Sequence, residues 1–590
     1  MPYTYQAPLR DMRFAIEQVL EAPAHWAACP ALLQAGADMD TAVAVLEEGA
    51  RFASQVLQPL NAPGDREGCR RDATGQVSTP AGFADAYRAY VAGGWPALPC
   101  SPAWGGQGLP LLLDAALREM LSACNHGWNM YPDLLHGAYE TLKAHGSEAL
   151  KAAYLPKLAS GEWLAAMALT EPGAGSDLGA LRTTATTQAD GSVRVSGEKI
   201  FISGADHDLS DNIVHLVLCR LNGPEGPAPA GSKGLSLVLV PKWLPDGRRN
   251  AWQCTGLEHK LGIHGSATCS LRYEAATGWL VGEANRGLAA MFLMMNSARL
   301  HVGLQGLGHQ EMATQNALRY ALERVQMKRP IAEHPAVRHL LLQAQASTEA
   351  QRVLAYAAAL ALDDAAHHAD PAVRQAAQAR AALLTPVVKA WCTQRGFDVA
   401  SQALQVFGGY GYVEETGVAQ TLRDSRIAMV YEGTNEIQAI DLLQRKWLGD
   451  GGQALMAWLH DAENEAQRAA ATGQALALQA AQALRDQLDA VRTAFHRVQT
   501  AAATAPDAPL PWAGEVLSGF AHALMAWAWT ASARALAEQS AAEQASPWAT
   551  AKADRVAYGL AWCLPQAQVH WARVQAGAAL PAAAACLHAA

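Results

Sequence analysis

Hydrophobic residues recur every three or four positions along much of this chain, which is the spacing of amphipathic helices. Residues 37 to 164 carry this period, for example at Ala42, Leu46 and Phe52, and it returns between residues 284 and 448. From residue 165 to 283 the pattern changes to short apolar runs separated by turns that are rich in Gly and Pro. The runs at 193–202, 213–218 and 235–240 predict β-strands. We therefore expect a mainly α-helical protein with a middle β domain.

Changes in composition predict the domain boundaries. We predict an N-terminal extension over residues 1–36, a helical domain over 37–164, a β domain over 165–283, a helical domain over 284–448 and an appended helical domain over 453–590. The last of these is rich in Ala and places five apolar residues on one helix face, namely Leu484, Leu488, Val491, Phe495 and Val498. A segment dense in Gly and Pro, 93–110, predicts ordered turns between helices, either as a plain connector or beside an active site.

Composition and charge narrow the class of protein. The chain has 590 residues, 51% of them hydrophobic, and a net charge of −9, which speaks against a nucleic-acid-binding protein. Its ten cysteines include no CxxC pair, so we expect reduced thiols in a cytoplasmic protein, with no metal site and no disulfide scaffold. The N-terminal residues lack the pattern of a secretory signal. The uncharged stretch 516–533 is predicted to be a buried helix rather than a membrane span.

Three segments carry candidate chemistry. The first is 167–177 with its companion 199–204, the second is 405–411, and the third is 423–438. Together they resemble the acyl-CoA dehydrogenase family over residues 37 to 448. The resemblance implies a helical N-terminal domain, a small β-barrel and a helical bundle, an FAD cofactor, an acyl-CoA substrate and an electron-transfer flavoprotein as partner. The chain has no GxGxxG opening a βαβ unit, so a Rossmann site is not expected.

The resemblance also assigns the cofactor-binding residues. It places Leu169, Thr170, Phe201 and Ser203 at the flavin ring, Arg324 and Gln326 at the pyrophosphate, Gln405, Gly408 and Gly409 at the dinucleotide of a neighbouring subunit's FAD, and Thr434 and Glu436 at the cofactor. A guanidinium is a suitable bidentate partner for phosphate. Met327 and Lys328 depart from the family's usual Phe-Gly, and Glu436 stands where many members carry Gln.

Glu432 is the predicted general base. It lies beside Gly433 among apolar neighbours, where partial desolvation raises the proton affinity of a carboxylate. In the family this residue removes a proton next to the thioester carbonyl while the β-carbon passes a hydride to flavin N5. The backbone N–H of the base and a flavin hydroxyl then stabilise the enolate oxygen. His207, His264 and His301 are interpreted as structural histidines.

Ser176, Asn296, Arg299 and Gly433 are the predicted substrate-binding residues. Asn296 replaces the first Asp of the Asp-x-x-Arg found in many members. Together with the segments 261–266 and 5–11 and the C-terminal domain, this change resembles the subgroup that contains the 3-methylmercaptopropionyl-CoA dehydrogenases. The resemblance implies 3-(methylthio)propanoyl-CoA or another short- or medium-chain acyl-CoA as substrate, and a homodimer or tetramer as assembly. Two alternatives stay open: an acyl-CoA oxidase or flavin monooxygenase of the same fold, and a nucleic-acid-binding flavoprotein relative.

Overall fold

A computed structural model describes residues 3–223 and 226–580. Residues 1–2 of the predicted N-terminal extension and residues 581–590 of the predicted C-terminal domain, including Cys586, lie outside the described residues. Residues 224 and 225 of the predicted turn at 223–227 do so as well.

The mainly helical architecture with a middle β domain is confirmed. The α-helices are α1 (Leu9–Phe14), α2 (Ala22–Ala27), α3 (Pro30–Gln34), α4 (Met39–Phe52), α5 (Gln58–Glu67), α6 (Phe83–Ala92), α7 (Leu111–Asp133), α8 (Leu135–His145), α9 (Glu148–Ala159), α10 (Gly287–Glu323), α11 (Pro335–His367), α12 (Pro371–Phe407), α13 (Val418–Ser425), α14 (Asn435–Ile440), α15 (Gln453–Ala471), α16 (Ala475–Thr504), α17 (Ala513–Ala537), α18 (Ala541–Gln544), α19 (Pro547–Tyr558) and α20 (Ala567–Ala576). The strands are β1 (Arg70–Arg71), β2 (Val77–Ser78), β3 (Trp163–Ala168), β4 (Thr184–Thr187), β5 (Val193–Ser203), β6 (Asn212–Asn222), β7 (Leu235–Pro241), β8 (Trp252–Leu257), β9 (Thr268–Val281), β10 (Val325–Gln326) and β11 (Arg329–Pro330).

The chain divides into two compact units. Unit 1 comprises Met1–Ala7, Pro30–Met312 and Gly409–Ile427. Unit 2 comprises Pro8–Cys29, Ala313–Gly408 and Ala428–Ala590. The C-terminal helices therefore share a unit with most of the second helical region and with part of the N-terminal extension.

The seven-stranded sheet of unit 1 closes on itself. Strand β6 pairs in parallel with β3 and β4 and antiparallel with β7. Strand β9 pairs antiparallel with β5, β7 and β8, and β4 pairs with β5. The pairings β6–β4–β5–β9–β7–β6 thus form a closed ring, the small barrel that the sequence resemblance implied. Apolar side chains of β6 and β7 fill its core.

Helix α7 forms much of the helical core of unit 1, and nearly all of its residues are buried. Its polar side chains are buried in a cluster, in which Arg118 lies 3.4 Å from Asp114 and 3.9 Å from Asp133. His301 of α10 lies 3.1 Å from Asp133. Buried charges are tolerated only when they are paired, so this cluster fixes the register of α10 against α7.

Unit 2 confirms two predictions about the C-terminal helices. The five apolar residues predicted to share a face of α16 are all buried, and the stretch 516–533 lies within the largely buried α17. Residues of the N-terminal extension pack against these helices, since Asp11 lies 2.9 Å from Lys552 and Val19 accepts a hydrogen bond from Arg534. Among the described residues, no helix is both long and apolar enough to cross a bilayer.

Candidate active site

The loop that follows β3 carries the residues predicted to meet the flavin ring, and a buried lysine holds it. Lys199 is fully buried and donates hydrogen bonds to the carbonyls of Leu169 and Leu218, each at 2.8 Å. Its Nζ also lies 2.9 Å from Glu171 Oε1. The Glu171 carboxylate accepts two further hydrogen bonds, from the backbone N–H groups of Arg182 and Thr183. This network fixes the backbone on both sides of Thr170.

The ion pair also sets the protonation of Glu171. Burial by itself favours the neutral acid, but the attraction of Lys199 and the hydrogen bonds from Thr183 and Lys199 outweigh it. The pKa of the Glu171 carboxyl is consequently lowered. Glu171 stays ionised at neutral pH, so the two charges compensate each other inside the barrel.

Phe201 interrupts the regular alternation of β5. The pairing of β5 with β9 shifts register between Lys199 and Ile202, and the Phe201 backbone adopts φ +59°. A left-handed backbone costs an L-residue about 1–2 kcal/mol. The side chain is 58% exposed although it is a large aromatic. Strain that exposes an aromatic ring is typical of a binding position, and it fits a flat ring ligand.

A second strained turn in unit 1 is held by the third motif. Ile263 has φ +46°, and its N–H donates to Asp424 Oδ1 at 2.5 Å. Burial, followed by repulsion from Asp65, raises the pKa of the Asp424 carboxyl to about 6. The neighbouring Arg423 binds Asp65 at 2.6 Å. The structure thereby joins the 261–266 segment to the start of the 423–438 segment.

The predicted substrate-binding residues of unit 1 differ in exposure. Ser176 is exposed on the loop after Glu171, and Asn296 is exposed on α10. Arg299, one turn further along the same helix, is only 5% exposed. Leu169, Thr170, Phe201, Ser203 and Gly409 also belong to this unit.

The remaining predicted residues belong to unit 2, where Glu432 occupies a strained turn. Glu432 has φ +57° and Gly433 has φ +84°. Gln438 Nε2 donates to the Glu432 carbonyl at 3.1 Å and lies 3.4 Å from the Gly433 carbonyl. Thr434 caps α14 by accepting a hydrogen bond from the Ile437 N–H. Glu432 is half-buried and Glu436 is exposed.

The predicted pyrophosphate residues lie on a two-residue hairpin at the end of α10. Arg324 and Gln326 are exposed there. Met327 and Lys328 form the tip with φ +49° and +67°, values that this type of turn usually assigns to Asn and Gly. The departure that adds strain is Lys328, because the family's usual Gly adopts a positive φ without cost.

An aromatic stack brings the second motif beside this hairpin. Tyr320 of α10 stacks on Phe407, the last residue of α12, with ring centroids 4.3 Å apart. Gln405 and Gly408, which flank Phe407 in the sequence, are exposed. A Cβ built on Gly408 or Gly409 would meet no atom within 4 Å, so a ligand can approach the backbone closely. An exposed guanidinium and open glycine backbone are each suited to the pyrophosphate of a dinucleotide.

The three histidines singled out in the sequence have local partners. His207 accepts a hydrogen bond from the Leu209 N–H, His264 binds the Lys260 carbonyl, and His301 contacts Asp133. Within the described ranges, no group of three metal-ligating side chains converges. The nine cysteines that the structure describes form no disulfide.

The sequence does not predict the roles of two buried lysines, Lys199 and Lys389. The available signal for Lys389 is a single charge in the helical run 383–391, in which Thr385 is the only other polar residue. A lone lysine in a helix usually reaches solvent along its stem, and this is why the signal is easily overlooked.

Comparisons with known proteins agree with this architecture. Models of the acyl-CoA dehydrogenase N-terminal, middle and C-terminal domains match residues 39–162, 166–276 and 285–446. The chain is 46% identical over 465 residues to a protein of Ruegeria pomeroyi named 3-methylmercaptopropionyl-CoA dehydrogenase, across 76% of this chain and 77% of that protein.

Solved structures show the same fold. Caenorhabditis elegans ACDH-11, described in complex with C11-CoA, aligns with a TM-score of 0.80 at 20% identity over 95% of this chain and 92% of that one. An acyl-CoA dehydrogenase of Bacillus anthracis complexed with FAD aligns with a TM-score of 0.68 at 22% identity over 85% and 84% of the two chains.

The chain belongs to the acyl-CoA dehydrogenase family, whose members are FAD-dependent oxidoreductases acting on acyl-CoA thioesters. The predicted family and fold are confirmed. The domain boundaries and the roles of individual site residues remain predictions.

Proposed function

We propose that this protein oxidises a short acyl-CoA thioester to its trans-2-enoyl-CoA, with Glu432 as the general base. The observation that carries the proposal is the turn at Glu432, where a half-buried carboxylate residue is held at φ +57° within the motif that resembles the family's base segment. Strain that is held in place by surrounding hydrogen bonds is typical of a functional residue.

FAD is the cofactor of this family, and the exposed residues fit it. Phe201 offers an aromatic edge beside the loop of Leu169 and Thr170, while Arg324 and Gly408 suit a pyrophosphate. Ser203, Gln326, Gln405, Gly409, Thr434 and Glu436 complete the proposed cofactor contacts. FAD, when bound, supplies the two-electron acceptor for the hydride that leaves the β-carbon.

The chain's own residues supply the proton chemistry and the geometry. The Glu432 carboxylate takes the proton from the α-carbon, and its backbone N–H donates to the thioester oxygen, on which negative charge develops. Ser176, Asn296, Arg299 and Gly433 bind and orient the acyl-CoA. Because the two bonds to hydrogen must break in one geometry, orientation accounts for much of the rate.

The proposed substrate is 3-(methylthio)propanoyl-CoA. Support comes from the Ruegeria pomeroyi relative, which is similar over three quarters of its length and is named for this thioester. The proposed electron acceptor is an electron-transfer flavoprotein, and the proposed assembly is a homodimer. A dimer is needed if Gln405, Gly408 and Gly409 are to reach the FAD of a neighbouring subunit.

An anaerobic panel of acyl-CoA thioesters tests the reaction and its substrate. The purified flavoprotein is mixed with the propanoyl, 3-(methylthio)propanoyl, butanoyl and octanoyl thioesters, and flavin bleaching and enoyl product are measured. We expect the fastest bleaching with the methylthio compound and one equivalent of enoyl-CoA per flavin. Equally fast bleaching with all four thioesters would contradict the proposed preference for 3-(methylthio)propanoyl-CoA. A lack of bleaching with any of them would contradict the proposed dehydrogenation. Rapid peroxide formation in air would favour an oxidase.

A further inference from the structure

Lys389 of α12 is a buried lysine whose hydrogen bonds go to the turn that carries Glu432. Its side chain is fully buried, and Nζ donates to the Gly433 carbonyl at 2.7 Å and to Asn435 Oδ1 at 3.0 Å. Taking an ammonium group out of water is costly unless good acceptors replace the water. Here the acceptors flank the predicted base on its C-terminal side.

Asn435 connects this ammonium group to a second point on α12. Its Nδ2 donates to the Ala390 carbonyl at 3.1 Å, and its Oδ1 also accepts from Thr393 Oγ1 at 3.2 Å. The side chain is thus held by three residues of one long helix. Through Lys389 and Asn435, that helix fixes the start of α14 directly after the turn.

The turn needs such support because its conformation is unfavourable. Glu432 at φ +57° costs about 1–2 kcal/mol, and without external contacts the backbone would relax. Gln438, which is also fully buried, donates to the Glu432 carbonyl, and Lys389 donates to the Gly433 carbonyl. Two successive carbonyls are therefore fixed from two different helices.

We propose that Lys389 is a positioning residue for proton abstraction, acting by holding the Glu432–Gly433 backbone in its strained form. The inference rests on the proposed function of Glu432. A general base must lie within about 0.5 Å of its productive position, so a relaxed turn lowers the rate even when the carboxylate is present. Substrate binding is affected less, because three of the four proposed contacts, Ser176, Asn296 and Arg299, lie outside this turn.

The test compares Lys389→Met with Lys552→Met. Lys552 is a matched control because it is also buried in unit 2, where it pairs with Asp11 and Glu349 far along the chain from the turn. For Lys389→Met we expect FAD content and KM within threefold of wild type, and kcat about 5- to 30-fold lower, with a larger deuterium isotope effect from α-labelled substrate. For Lys552→Met we expect lower thermal stability but a wild-type kcat per bound flavin.

A second variant covers poor folding of Lys389→Met. Asn435→Ala removes the hydrogen bonds between the Asn435 side chain and Lys389, Ala390 and Thr393. We expect the same fall in kcat at nearly constant KM. The inference is overturned if folded Lys389→Met keeps the wild-type kcat, or if its KM rises by the same factor by which kcat falls. If Lys389→Met does not fold, the same two outcomes in Asn435→Ala overturn it. Glu432→Gln in the same assay separates the two claims. A wild-type rate in Glu432→Gln removes the proposed function itself, whereas an inactive Glu432→Gln beside a fully active Lys389→Met removes only the role of Lys389.

Discussion

Replacing Lys199 by Met should loosen the loop that is proposed to meet the flavin ring. The substitution leaves the Glu171 carboxylate buried without its counter-ion and removes the donor from the carbonyls of Leu169 and Leu218. Removing one partner of a buried ion pair costs about 3–5 kcal/mol. Since each 1.4 kcal/mol is a factor of ten, opening of this loop should become roughly a thousandfold more frequent.

Hydrogen exchange measured by mass spectrometry reports this opening directly. We expect peptides spanning 165–175 and 196–204 to exchange faster in Lys199→Met, and the dissociation constant for FAD to rise at least tenfold. In the double variant Lys199→Met/Glu171→Gln the loss should be smaller than the sum of the two single losses by about 2 kcal/mol, because no uncompensated charge remains. These couplings follow from the shared hydrogen bonds of the pair.

Lys242→Met is the control for this prediction. Lys242 Nζ lies 2.7 Å from Asp206 Oδ1 in the same unit, and the Lys242 side chain is 16% exposed. The substitution therefore removes a largely buried ion pair at a different place in the unit. Exchange in the 165–175 peptide should then be unchanged. The reasoning is refuted if Lys199→Met shows wild-type exchange in both peptides together with wild-type FAD affinity.

Three further predictions concern the other segments of the site. The pKa of Asp424 is raised from 3.8 to about 6, so the folded protein binds this proton more tightly than the unfolded chain. Its contribution to stability is present at low pH and is lost as the pH rises from about 4 to about 6, by up to about 3 kcal/mol. Asp424→Asn should abolish this part of the pH dependence in urea unfolding, and an unchanged profile would contradict the assignment. Gly433→Ala should lower kcat at least tenfold, because Gly433 has φ +84° and a Cβ would lie 2.8 Å from Gln438 Nε2; wild-type turnover would show that the turn tolerates relaxation. Arg324→Ala should raise the FAD dissociation constant about tenfold or more, with Arg324→Lys intermediate, as judged by fluorescence titration of the apoprotein; equal affinities in all three proteins would exclude contact with the pyrophosphate.

The spacing of hydrophobic residues predicted those helices and strands that bury a regular apolar face. The face of α16 formed by Leu484 and Leu488 and the strand at 213–218 follow from spacing alone, because burial of a regular face is a local property. The same reasoning predicted that 516–533 is a buried helix, since its small and polar residues suit protein packing better than lipid.

Backbone strain and buried charge were not predictable from the sequence in this way. Phe201, Ile263 and Glu432 adopt positive φ, although no local signal marks a non-glycine residue for that region. Lys199 and Lys389 find their acceptors 19 to 46 residues away along the chain. Such pairs depend on how elements pack, and only the three-dimensional structure brings them together.

Glu432→Gln tests the central claim most directly. The variant and the wild type, both loaded with FAD, are mixed anaerobically with acyl-CoA in a stopped-flow spectrometer, and Glu415→Gln, an exposed carboxylate substitution, is the control. The account predicts that Glu432→Gln binds the thioester with nearly wild-type affinity and bleaches at least a thousandfold more slowly, while Glu415→Gln bleaches normally. Bleaching of Glu432→Gln at the wild-type rate would contradict the account.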